Sequence, residues 1–202
     1  MPNWVMNKVT FYGNDNEIQK MKNFLKSKDT AFDFNKLIPM PEELDIDSGS
    51  TEHFSIELYE LNEKNPAAAL KLYEESSWQK DKTFGQWLRL GEKYISNKKK
   101  YGHPTWYGWR CENWGTKWNA SEIVWDGNNV EFWTAWDTCE PIYRRLAELY
   151  PTVQFDVEYA NEDVAAQNGE FHYDAEEFWE NPINTEEFGC KVWEMESEYA
   201  YN

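Results

Sequence analysis

The chain opens on an alternation of apolar and polar positions. In WVMNKVTF, residues 4–11, Val5, Val9 and Phe11 share one side of an extended strand, and Gly13 ends it. Asn14 or Asp15 then caps a helix predicted to run to about Lys28, with Ile18, Met21 and Leu25 on one stripe. AFDFNKLI, residues 31–38, reads as a second strand stopped by Pro39 and Pro41. From about Pro41 to Tyr101 the pattern turns helical. Asn65-Pro66 starts one helix through AAALKLYEESSW, and another over Phe84 to Ile95 turns Phe84, Trp87, Leu88 and Ile95 inward. Lys98, Lys99 and Lys100 read as a solvated helix end. Strands return at 121–125 and 130–136 around the turn Asp126-Gly127-Asn128-Asn129. Pro141 opens a helix with Ile142, Leu146 and Leu149 spaced for burial, and Pro151 ends it. TVQFDVEYA follows as a strand with Val153, Phe155, Val157 and Tyr159 on one face and Gln154, Asp156 and Glu158 on the other. A late strand near Glu170–Tyr173 adds to the sheet.

The order is β-α-β, an insertion, then β-β-α-β. Without the insertion and the extra hairpin strand this is a ferredoxin-like α+β sandwich, an antiparallel sheet with two packing helices. The expected layout is a domain over residues 1–165 with a helical insertion at about 41–119, then an acidic, aromatic-containing extension over 166–202.

Composition narrows the class. The chain has 202 residues, 41% hydrophobic and 17% aromatic, which is enough for a substantial core and too aromatic for a disordered chain. No window reads as a membrane span, and the first residues lack a signal-peptide core, so the expected setting is soluble and cytoplasmic. Cys111, Cys139 and Cys190 are widely spaced and read as reduced thiols. Net charge is −17, and residues 151–202 hold 14 acidic residues against Lys191 alone. Such a field repels phosphate backbones, so direct nucleic-acid binding is not expected.

Several segments carry a family resemblance: MPNWVMNKVTFYG, FDFNKLIPMPEEL, WYGWRCENWGTKWNA, FWTAWDTCEPIYRRLAELYP and VQFDVEYANED, in this order. Together, over roughly residues 1–165, the chain resembles the YubB-type ferredoxin-like domain family of plasmid and phage proteins. The resemblance implies the fold and a mobile-element setting, with the host cytoplasm as location if the protein is phage-encoded. It implies no established activity.

The run WYGWRCENWGTKWN, residues 106–119, is the most specific stretch. Read structurally, its indoles close an irregular loop, Asn113, Thr116 and Asn119 satisfy backbone groups, and Lys117 lies over an indole. Read as a site, Trp106, Trp109, Asn113, Trp114, Lys117, Trp118 and Asn119 line a pocket for a nucleotide-like ligand. The spacing is not that of a P-loop. His53, His103 and His172 stand apart in sequence, and no metal-ligand or nucleophile motif is present, so no catalytic residue, metal or cofactor is expected. An open sheet face bearing Trp4, Met6 and Trp133 is an RNA-binding possibility of this topology, but Asp156 and Glu158 share that face. The simpler expectation is that insertion helices cover the aromatics.

The acidic segment interleaves carboxylates with aromatics, from Phe171 through Trp193 to Glu196 and Glu198. This suits an element half-packed on the domain with a negative outer face. Asp174, Glu176, Glu177, Trp179, Glu180, Glu186 and Glu187 are the candidate partner-binding residues, and the expected partner is a host protein with a basic surface, such as a defence-system component or a nucleic-acid-binding groove. The leading expectation is therefore a non-enzymatic binding protein. The alternative, from another class, is binding or processing of a nucleotide-like small molecule at residues 106–119.

Overall fold

A computed structural model describes residues 3–76 and 81–195. The end of the helix predicted from Asn65-Pro66, at Ser77 and Trp78, and Glu196 and Glu198 of the acidic segment, lie outside the described residues. The chain forms two compact units. One comprises the residues up to Pro39 with those from Arg110 onward, and the other Met40–Trp109.

The first unit is built on a six-stranded sheet. Its strands are β1 (Trp4–Tyr12), β2 (Ser121–Asp126), β3 (Asn129–Ala135), β4 (Gln154–Asn161), β5 (Gly169–Tyr173) and β6 (Phe178–Pro182), in the order β2-β3-β1-β4-β5-β6. Each neighbouring pair is antiparallel. Two helices, α1 (Asp15–Leu25) and α7 (Glu140–Leu149), complete the pattern β1-α1-β2-β3-α7-β4. This is the ferredoxin-like α+β arrangement, with β5 and β6 added beyond β4.

Residues 31–38 are not the second strand. Phe34–Leu37 form a short helix, α2. Phe32, Phe34 and Leu37 are the buried positions, a spacing that changes from two to three. Asp33 accepts the amide of Asn35 at 3.0 Å, so the capping side chain wins over the apparent alternation. The four strands of the sandwich come instead from β1, both arms of the β2–β3 hairpin and β4. That hairpin closes through Gly127, at φ +54.

Strand pleating sorts the sheet into two faces. Val5, Val9 and Phe11 of β1, Val130 and Phe132 of β3, and Phe155 and Val157 of β4 are fully buried on the helix-covered face. Ile18, Met21 and Leu25 of α1 and Ile142, Tyr143 and Leu146 of α7 join them. A small polar network centred on Asn7 lies in this core. Asn7 Nδ2 donates to Val5 O at 3.0 Å and Thr134 Oγ1 at 2.9 Å, and Asn7 Oδ1 accepts from Thr138 Oγ1 at 2.7 Å and Tyr143 OH at 2.8 Å. Both amide hydrogens and both lone pairs are used.

The opposite face is partly covered by α8 (Glu186–Trp193), the last element among the described residues. Phe188 and Val192 pack on Ala160, with Met6 and Trp193 beside them. A Cβ on Gly189 of α8 would lie 2.1 Å from Val164 O, so this helix seats at backbone contact and needs glycine there. The C-terminal helix therefore shields the Met6 region of the open face.

The second unit contains α3 (Ser50–Lys64), α4 (Pro66–Glu75) and α5 (Phe84–Tyr101) around Phe54, Leu58, Ala69 and Trp87. A Thr83–Gln86 capping box starts α5. This helix continues past Ile95 to Tyr101, so Lys98, Lys99 and Lys100 form its last turn. Within the unit, Tyr94 OH donates to Asp47 O at 2.7 Å.

Replacing Asn7 by valine keeps the strand but leaves the Thr138 and Tyr143 hydroxyls without their buried acceptor. The expected loss is about 3 kcal/mol in chemical denaturation, against about 1 kcal/mol for Thr134→Val, which removes one partner only.

Candidate functional site

The tryptophan run is a helix followed by a short link to β2. Trp106–Trp114 form α6 rather than an irregular loop. Trp106 and Trp109 belong to the second unit, and Asn113, Trp114, Lys117, Trp118 and Asn119 to the first. Trp109 and Trp114 are buried, Trp106, Asn113, Lys117 and Asn119 are half-buried, and Trp118 is 37% exposed.

In the first unit Trp114, Thr116 and Asn119 of the run spend their polar groups on the fold. Trp114 Nε1 donates to Ile38 O at 2.9 Å, and its ring meets Phe34 edge to face. Gly115 takes φ +78 to end α6. Thr116 Oγ1 donates to Ala135 O at 2.9 Å and accepts from Ala135 N at 3.1 Å, tying the link to β3. Asn119 caps α2 from a distance: its Oδ1 accepts from Phe34 N at 2.9 Å and its Nδ2 donates to Asp33 Oδ1 at 2.8 Å. Lys117 Nζ sits 4.1 Å from the Trp118 ring centre and 3.7 Å from that of Trp136, a two-sided cation–π contact.

A cavity of about 400 Å³ lies beside the end of α6, lined by Cys111, Gly115, Asp137, Glu140, Tyr159 and Glu180 among others. Burial pushes the Asp137 carboxyl up, with Glu180 and Glu140 adding repulsion. Tyr159 OH donates to Glu180 at 2.8 Å. A wall of carboxylates disfavours a phosphate-bearing occupant.

The acidic candidates divide into groups. Asp174, Glu176 and Glu177 form the turn between β5 and β6, where Asp174 Oδ1 accepts from Glu177 N at 3.0 Å and Glu176 N at 3.2 Å. Those backbone bonds hold the Asp174 carboxyl below its ordinary range. Glu186 and Glu187 sit in the first turn of α8, capped by Thr185. β6 separates the two groups by roughly 17 Å, the length of five extended residues. Glu180 faces the helix-covered side and is engaged by Tyr159. Trp179 lies on the open face, where it packs on His172 with ring centres 5.2 Å apart, and Asp174 Oδ2 reaches 4.0 Å from His172 Nε2.

Register assembles around Trp179 a site that sequence spacing does not reveal. Asp156 pairs with His172, and His172 with Trp179; Glu158 pairs with Glu170, and Glu170 with Asn181. All six share the open face. The His172 ring is held by Asp156 through Nδ1. Lys191 of α8 pairs with Glu158. Lys8, in the next strand, pairs with Glu194 at 2.6 Å and Glu131 at 3.3 Å. Burial alone lowers the Lys8 pKa, but these two carboxylates outweigh it and hold the ammonium above its ordinary range. Glu170 receives Asn181 Nδ2 at 3.2 Å and has no ion pair among the described residues. The groove over these residues, lined also by Thr10 and Tyr12, has a volume of about 470 Å³. Among the described residues no cluster of three or more histidine, cysteine or acidic side chains could hold a metal ion, and no helix is long and apolar enough to cross a membrane.

This geometry defines a ferredoxin-like domain with an acidic, aromatic-edged sheet face. A family model described as "Ferredoxin-like domain in Api92-like protein" matches residues 113–201. Among solved structures, the crystal structure of protein api92 from Yersinia pseudotuberculosis is similar, with 10% sequence identity, a TM-score of 0.47, and coverage of 91% of this chain and 99% of that one. No curated protein matches the chain.

The two conspicuous tryptophans of the run are expected to differ. Trp114→Ala removes a buried ring and its hydrogen bond and should cost about 3–5 kcal/mol in equilibrium unfolding, whereas Trp118→Ala should cost about 1 kcal/mol.

Proposed function

We propose that the protein is a binding protein rather than an enzyme, and that it engages a basic surface of a partner protein through the open face of β4, β5 and β6. One observation carries this reading. The cations on that face, Lys8 and Lys191, are already neutralised by Glu131, Glu194 and Glu158, so the field around Asp156, Glu158 and Glu170 stays negative. Exposed Trp179 supplies apolar area at the rim of the groove. Charge placed in this way accelerates encounter with a basic partner and disfavours nucleic acid.

The resemblance to YubB-type proteins of plasmids and phages supports a mobile-element setting. In that setting the partner is a host protein, such as a defence-system component, met in the host cytoplasm.

The test is kinetic. With a partner captured from host lysate, the association rate should fall about tenfold or more between 50 and 300 mM salt, while dissociation changes little. Glu170→Gln should slow association at low salt and leave the fold intact. Association indifferent to salt and to this substitution contradicts the proposal.

A further inference from the structure

The open face of β4, β5 and β6 contains a local conflict. Glu158 and Glu170 are directly opposite each other across β4 and β5. Like charges in that position destabilise a sheet. Lys191 answers Glu158, but among the described residues Glu170 receives the Asn181 amide and no cation. A fold that breaks a pairing rule at one spot while satisfying it elsewhere marks a place where a charge from outside is accommodated.

The indole of Trp179 lies diagonal to Glu170 on the same face, one strand away, at about 7–8 Å between backbones. It is 43% exposed and is positioned by His172, which Asp156 holds in turn. The site therefore presents an aromatic platform on an edge strand, oriented by His172, with a carboxylate beside it that has no cation among the described residues. A group suited to both must be flat, cationic and able to donate in a plane to a carboxylate. The guanidinium of arginine has all three properties, since it stacks on aromatic faces and forks to carboxylates. The ammonium of lysine is a strongly hydrated point charge without the planar match.

We infer that the Trp179–His172–Asp156 stack with Glu170 is a receptor for an arginine side chain of the protein partner. This rests on the proposed binding of a basic surface and names the group that the surface must present. The charge complementarity is local: Glu170 has no cation among the described residues, and Trp179 lends its face.

The experiment compares a short oligoarginine peptide with an oligolysine peptide of equal length and charge, at low salt, by fluorescence or calorimetric titration of the full chain. The arginine peptide should bind about tenfold more tightly. Trp179→Ala, at an exposed edge position, should abolish that advantage while leaving a salt-sensitive affinity common to both peptides. Trp179→Phe should retain part of it. Glu170→Gln should weaken the arginine peptide more than the lysine peptide and raise the melting temperature of the free protein, because the opposed charges are relieved. Equal affinities for the two peptides, or an arginine advantage that survives Trp179→Ala, overturn the inference and leave the acidic-face reading standing. Failure of both peptides to bind overturns the acidic-face reading as well.

Discussion

The buried amide of Asn7 is the constraint on which the rest of the sheet depends. It sits at 0% exposure in the central strand, and leaving any of its four hydrogen-bonding positions empty is costly in a core. Its partners come from β3, from the link before α7 and from α7 itself. The amide therefore sets the register of β1 against β3 and the seating of α7 together. A one-residue slip in that register would carry the side chains of β1 to the other face and bury Lys8 instead. Which face becomes core and which stays open follows from satisfying this one residue.

From that choice the electrostatics follow. With Val5, Asn7 and Val9 committed inward, Met6, Lys8 and Thr10 face outward, and antiparallel pairing lines up Ala160, Glu158 and Asp156 beside them. β5 and β6 extend the rows to Glu170, His172, Trp179 and Asn181. α8 then occupies the apolar end, at Met6 and Ala160, where Trp193 Nε1 donates to the carbonyls of Ala160 and Asn161 at 3.0 Å each. The charged end is left as the groove. An acidic sequence with a balance of −17 is distributed so that its cations near this face are consumed internally.

Much of the frame is legible in the residues. Alternation in β1 and β4, the Asn14 cap, Pro141 and the Gly127 turn each combine a period with a stop signal, and those elements lie close to where the pattern puts them. The failures have physical causes. Phe32, Phe34 and Ile38 mimic a strand, but Asp33 and the distant Asn119 together cap a helix there, and a cap from residue 119 has no local signature. β6 is an edge strand exposed along most of its length, so no alternation of burial marks it. α8 did carry a signal, Thr185 before two glutamates with Phe188 and Val192 four apart, hidden in a segment dominated by charge. Of the candidate site, Trp179 stands out in sequence as an aromatic among acids. His172, Asp156, Glu158 and Glu170 join it only through strand register, which sequence spacing does not display.

Binding at the β4–β5–β6 face, as proposed, and binding at residues 106–119 are separated directly by nuclear magnetic resonance of the indole N–H groups. During titration with an oligoarginine peptide, the Trp179 indole signal should shift progressively with the backbone amides of Glu170 and His172. The Trp114 indole, bonded to the Ile38 carbonyl, should stay in place. Shifts concentrated at Trp106, Trp118 and Asn119, with Trp179 unmoved, would contradict binding at the β4–β5–β6 face and return the site to the tryptophan run.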